Sequence, residues 1–187
     1  MATDWPDSLK PQSVRFTPVT GWRRGAPTLL GITQATSGDA GAWTAQLNNI
    51  PVVRSEQVLK LRAALIRCVA RADSMLISPN DGCRSTTANN GTASGGNLRD
   101  TTMSISGSSI QPGNYFEVDN RLYCAYGVSG STVNFWPPRR STGGGTANLI
   151  NPRCHMRLSP ESEQALETNW TNVQFISLQF EESREVS

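Results

Sequence analysis

Between residues 14 and 53 apolar and polar side chains alternate with a period of two. In Val14-Arg-Phe-Thr-Pro-Val19, Val14 and Phe16 take one side and Arg15 and Thr17 the other. In Ala42-Trp-Thr-Ala-Gln-Leu47, Trp43, Ala45 and Leu47 alternate with Thr44 and Gln46. That period marks half-buried antiparallel strands. Leu29 to Gln34 is a third candidate strand, and Ser37 to Gly41 reads as a turn. Pro18 brings no N–H to a ladder, which puts the first strand at a sheet edge or on a bulge. From Ser55 to Asp73 the period turns helical. Val58, Leu61, Leu65, Cys68 and Ala72 form one apolar stripe, with Lys60, Arg67 and Arg71 elsewhere on the cylinder. Ser55 is the expected cap, and Glu56 suits the positive end of the helix dipole. Cys and Ala make a shallow apolar face, better fitted to covering a sheet than to lying on a membrane.

Met75 to Ile77 reads as a short strand, and 79–96, rich in Asn, Gly, Ser and Thr, as a long loop. Strands resume at Thr101 to Ser106. A hairpin follows: Asn114 to Val118, the turn Asp119-Asn120, then Arg121 to Tyr126. Asp and Asn accept the left-handed backbone of a two-residue hairpin loop. Phe116 and Val118 are expected to face the core from one strand, and Leu122, Cys124 and Tyr126 from the other. Ser131 to Trp136 is a further strand, ended by Pro137-Pro138, and Ser141 to Thr146 is a Gly-rich loop. The chain returns through Arg153 to Leu158, a polar stretch from Ser159 to Asn169, and a last strand, Val173 to Glu181. That strand carries Val173 and Phe175 at odd positions but Ile176, Leu178 and Phe180 at even ones. The change of phase means either a bulge or burial on both faces, the second by a neighbouring subunit. The expectation is a mainly β fold: a β-barrel or sandwich built from 1–79 and 151–187 with one covering helix at 55–73, and a small all-β domain inserted at 80–150.

Composition narrows the function classes. Apolar residues make up 37% and charged residues 17%, and the net charge is +2 from 17 basic and 15 acidic side chains. So even a balance argues against nucleic acid as the partner. No apolar run approaches the ~20 residues of a membrane helix. The first ten residues hold Asp4 and Asp7 and no apolar core of a secretion signal, so folding in a bacterial or host cytosol is expected. There the four cysteines, with no CxxC pair and one histidine in the chain, are expected to be free thiols with no zinc.

Motifs for catalysis are weak. His155 is the single available imidazole base, and Cys154 beside it in an extended segment points the other way. Cys83 meeting His155 in space is the remaining hydrolase arrangement. Gly143-Gly-Gly145 lacks the Lys-Ser/Thr of a phosphate loop, and Asn90-Gly-Thr92 has the form of a glycosylation acceptor without a secretion route. No catalytic, cofactor or metal residues are assigned. Arg23-Arg24 and Arg139-Arg140 occupy turn-like positions and are either solvated loop tips or contacts to acidic side chains of adjacent subunits. Trp22, Trp136 and Trp170 lie near element ends, where an exposed aromatic marks an interface anchor.

The opening Trp5-Pro-Asp-Ser-Leu-Lys-Pro11, the middle Ile110-Gln-Pro-Gly-Asn-Tyr-Phe-Glu-Val118 with Leu122-Tyr123, and Val133-Asn-Phe-Trp-Pro-Pro-Arg139 resemble, in order, the distal-tail structural proteins of long-tailed bacteriophages. The return segment Pro152 to Leu158 and the aromatic C-terminal strand also fit, while the loop at 83–97 departs from the pattern. The resemblance implies a β core with one helix and a variable insert. It also implies a ring, of six copies by expectation, in the virion tail tip that joins the tail tube protein to the tip hub proteins. On this reading Arg23, Arg24, Val173, Phe175, Ile176, Leu178 and Phe180 are candidate subunit contacts. The alternative is a receptor- or carbohydrate-binding module, with Tyr115, Tyr123, Trp136, Arg139 and Arg140 on the surface of the insert.

Overall fold

A computed structural model describes residues 3–19, 23–24, 35–36, 41–71, 73–79, 89–163 and 174–183. The chain is mainly β, with two curled six-stranded sheets forming a near-barrel and one long helix. The first sheet is built from β1 (Thr3–Asp4), β2 (Ser13–Val19), β5 (Ala42–Val52), β6 (Met75–Ile77), β13 (Cys154–Leu158) and β14 (Gln174–Glu182). Its order is β1-β6-β13-β14-β5-β2, antiparallel except for the β1–β6 pair. The second is built from β7 (Gly91–Ala93), β8 (Thr102–Ser106), β9 (Tyr115–Val118), β10 (Arg121–Ser129), β11 (Thr132–Trp136) and β12 (Gly145–Ala147), in the order β12-β7-β8-β11-β10-β9. Glu117 and Asn148 exchange backbone hydrogen bonds of 3.0 and 2.8 Å, so the far ends of this sheet are brought together. A two-stranded ladder joins β3 (Arg23–Arg24) to β4 (Ala35–Thr36).

The helix α1 (Ser55–Arg71) buries Leu61, Ala64, Leu65 and Cys68 against the first sheet, as its stripe requires. Its N-terminus is closed differently from the expectation. The Val58 N–H donates to Arg54 O, which makes Arg54 the cap position, and Gln57 Oε1 accepts from the Val53 and Arg54 N–H groups at 3.0 and 3.1 Å. Gln57 supplies the side-chain half of a capping box in place of Ser55. Gln57→Ala is therefore expected to lower stability by about 1 kcal/mol in urea unfolding, and Ser55→Ala by much less. A larger loss at Ser55 would contradict the assignment.

Among the described residues Pro18 does sit on an edge strand. Trp43, in register with Pro18, sends its N–H to Glu182 at 3.0 Å, so the Trp43–Pro18 pair exchanges no ladder bonds. The ring nitrogen of Pro18 thus faces away from β5, where a missing donor costs nothing. In the last strand the even positions point inward: Ile176, Leu178 and Phe180 are buried, and Phe175 is 59% exposed. The irregularity lies in the neighbouring strand. Leu47 and Ile50 on β5 face Leu178 and Ile176, so Asn48 and Asn49 together oppose Ser177, and Asn49 takes φ +52°. This is a β-bulge in β5, and β14 keeps its alternation.

Two stretches read as loop contain strands. Gly91–Ala93 and Gly145–Ala147 pair antiparallel with each other. Their Gly, Thr and Ala side chains carry no apolar period to announce them. A Cβ on Gly91 would come within 2.8 Å of Ile105 Cγ2, Ser106 O and Ser108 Cβ, so glycine there permits the close backbone approach. Leu29 to Gln34, most of the turn at 37–41 and Ala72 lie outside the described residues.

Candidate functional site

The hairpin turn is as expected, with Asp119 and Asn120 both left-handed (φ +52° and +58°). The assignment of its faces is corrected. A two-residue loop pairs Val118 with Arg121, so even positions on β9 meet odd positions on β10: Phe116 faces Tyr123, and Tyr115 faces Cys124. Directly opposed residues share a face. Phe116, Val118, Tyr123 and Ala125 line the core of the second sheet, with Phe116 stacked on Tyr123 at 5.5 Å. Leu122 enters the core of the first sheet, where Tyr115 and Cys124 pack beside it. The hairpin is buried on both sides, and Tyr126 is 62% exposed instead of inside.

Those contacts form a seam between the two sheets. Trp43 is its centre: it meets Trp136 edge-on at 4.6 Å and Tyr115 at 5.6 Å, and its Nε1 donates to Leu122 O at 3.0 Å. Charges surround the aromatic core. Glu182, 6% exposed at the end of β14, accepts the Trp43 N–H through Oε2 and holds its Oε1 3.7 Å from Arg121 and 3.4 Å from Arg140. Arg121 also donates to Ser183 O at 2.6 Å. Glu117, on the second sheet, reciprocates: its Oε2 accepts the Arg153 N–H at 2.9 Å and lies 3.6 Å from Arg153 Nε. Arg153 reaches Asp4 as well, at 3.2 Å. Each sheet thus sends one buried carboxylate to arginine of the other.

These positions revise the surface expected for the insert. Tyr123 is 2% exposed, and Tyr115 and Trp136 are committed to the seam. Arg139 is also 2% exposed. Its guanidinium donates to Ser141 O at 2.7 Å, Ser94 O at 3.1 Å and Gly143 O, tying together the two loops at one end of the second sheet. Arg140 is partly buried beside Glu182. None of the five is a free platform for a glycan. Among the subunit-contact candidates, Ile176, Leu178 and Phe180 are taken up by the chain's own core, and Phe175 is at the surface. Arg23 and Arg24 sit on β3 with side chains outside the described residues, as are Val173, Trp22, Trp170 and Cys83.

Cys154 points into the core and His155 away from it, as buried and half-buried side chains alternate along β13. Burial pushes the Cys154 thiol well above its usual range, with Glu182 adding to it, and pushes Cys68 up to about 11. Neither thiol is an activated nucleophile. Burial lowers the His155 imidazole, and the Arg121 and Arg153 guanidiniums lower it further. Among the described residues no three His, Cys, Asp or Glu side chains gather for a metal ion. No helix among them is long and apolar enough to cross a membrane. An open groove of about 460 Å³ beside the N-terminal segment is floored by Trp5, Val14 and Leu76, with Asp4 and Asp7 balanced by Lys10 and Arg153. It offers no net charge to select a ligand. Comparison with known proteins finds no family model that matches the chain and no match among curated proteins.

Proposed function

We propose that the chain is a non-enzymatic structural subunit that assembles with copies of itself, and that its setting is the tail tip of a long-tailed phage. There a ring, of six copies by expectation, would join tail tube to hub. The phage setting rests on the resemblance of the Trp5, Ile110 and Val133 motifs. The observation that carries self-assembly is the edge strand β2, seven residues long and paired on one side alone among the described residues. By alternation from Pro18, the N–H and C=O groups of Val14 and Phe16 point to that free edge. Pro18 and the exposed Arg15 guard the strand against indiscriminate pairing and leave room for one specific neighbour. A ring needs two different contact faces per copy, and Phe175 on the far side of β14 is a candidate for the second.

Sedimentation and native mass measurements across a concentration series test this reading. Val14→Pro removes an outward donor that β5 does not use. It is expected to weaken each contact by about tenfold, the equivalent of one backbone hydrogen bond at about 1 kcal/mol or slightly more. A chain that stays monomeric at all concentrations and when mixed with tail tube and hub proteins would sink the proposal.

A further inference from the structure

We propose that the outward face of α1 is a docking stripe for an amphipathic helix with acidic flanks, carried by a partner protein. The inference does not depend on how copies of this chain assemble. The helix has two apolar sides. Leu61, Ala64, Leu65 and Cys68 face the first sheet, while Leu59, Ile66 and Val69 stay 61%, 49% and 41% exposed. A helix that only covers a sheet carries polar side chains on its outer side. The second apolar set is therefore not explained by the fold of this chain.

Spacing gives the shape of the partner. Leu59, Ala63 and Ile66 follow one another at steps of four and three, the interval that keeps a seam turned toward a second helix. Ala63, exposed at the middle, lets a facing backbone come close. From Leu59 to Val69 the stripe runs about 15 Å, which suits roughly two heptads of a partner. Charge selects among helices. Lys60 and Arg67 are exposed on one flank of the seam and Arg62 on the other. Glu56 is the one acidic residue of α1, and it lies 2.7 Å from Lys60. A second α1 laid on this one in either direction would set cation beside cation, which disfavours a second copy. A bilayer fits less well too: the stripe is narrow, Ala63 lies at its centre, and α1 holds no aromatic residue to anchor it at an interface. An apolar helix edged with Glu or Asp meets both features, covering Leu59 and Ile66 while its carboxylates face Lys60, Arg62 and Arg67.

The probe is a synthetic three-heptad peptide with Leu along its seam and Glu on both flanks, paired with a control peptide that has Lys on the flanks. Binding to the full chain is read by fluorescence anisotropy. The Glu peptide is expected to bind saturably and the Lys peptide not at all. Its affinity should fall about tenfold in Ile66→Asp, and fall again as salt is raised from ~50 mM to ~0.5 M. Because Ile66 is on the outer side, Ile66→Asp should leave the urea midpoint near that of the wild type. The double variant Lys60→Glu with Arg67→Glu should transfer the preference to the Lys peptide. Failure of the Glu peptide to bind, equal binding of both peptides, or binding indifferent to Ile66→Asp would overturn the proposal. So would attachment to phosphatidylglycerol vesicles, or self-association of the chain, that Ile66→Asp abolishes, since the stripe would then serve a membrane or a second copy.

Discussion

Replacing Glu182 by leucine is expected to destabilise the chain by about 3–5 kcal/mol, a fall in Tm on the order of 10 °C. The size comes from what the carboxylate leaves behind. Arg121 and Arg140 would be stranded with 10% and 21% of their side chains exposed, and the Trp43 N–H would lose its acceptor. Arg140 already has guanidinium nitrogens without a hydrogen-bond partner, so it has little slack to absorb the loss. Glu182→Gln keeps an acceptor for Trp43 and removes only the charge, so it should cost distinctly less. Urea unfolding of both variants separates the contributions. A loss under about 1 kcal/mol for the leucine variant would mean that the aromatic contacts alone hold the seam.

Arg139→Met is expected to have an effect of similar size, about 3–5 kcal/mol, concentrated at one end of the second sheet. Methionine fills much of the same volume but leaves the carbonyls of Ser94, Ser141 and Gly143 without their shared donor. Hydrogen exchange should show where the loss falls: amides of 94–100 and 139–145 lose protection before those of α1. Lysine keeps the charge but supplies a single donor atom where the fork had three, so Arg139→Lys should recover only part of the stability. Uniform loss of protection over the whole chain would contradict a local tie.

The elements with an apolar rhythm were legible before any coordinates. The helix stripe from Val58 to Cys68 and the alternation from Trp43 to Leu47 each name their buried face directly. Pro18 located an edge because a missing N–H admits few positions. Two kinds of information were not in the pattern. Gly91–Ala93 and Gly145–Ala147 have no side chains large enough to signal a strand, and each is defined by the other. Burial at the hairpin was misread because face follows from register. Once the loop is fixed at two residues, Val118 must oppose Arg121, and a strand with both parities apolar has two cores to serve.

The surface expected for the insert failed for a related reason. Aromatic and arginine residues look alike in sequence whether they meet solvent or a second sheet. Trp136 and Tyr115 are turned inward by Trp43, some seventy or more residues away, and no local window contains that partner. Arg139 is drawn inside by three backbone carbonyls, which have no sequence signature at all.

The two-sided hairpin sets a limit on transplantation. Leu122, Tyr115 and Cys124 belong to one interior while Phe116, Val118 and Tyr123 belong to the other. A foreign module grafted between 80 and 150 would uncover Trp43 and the groups packed on it unless it carried a strand pair of matching contour. Exchange of this segment among sequences is thus constrained to replacements that reproduce β9 and β10 on their Leu122 side, with freedom left for the loops at the opposite end.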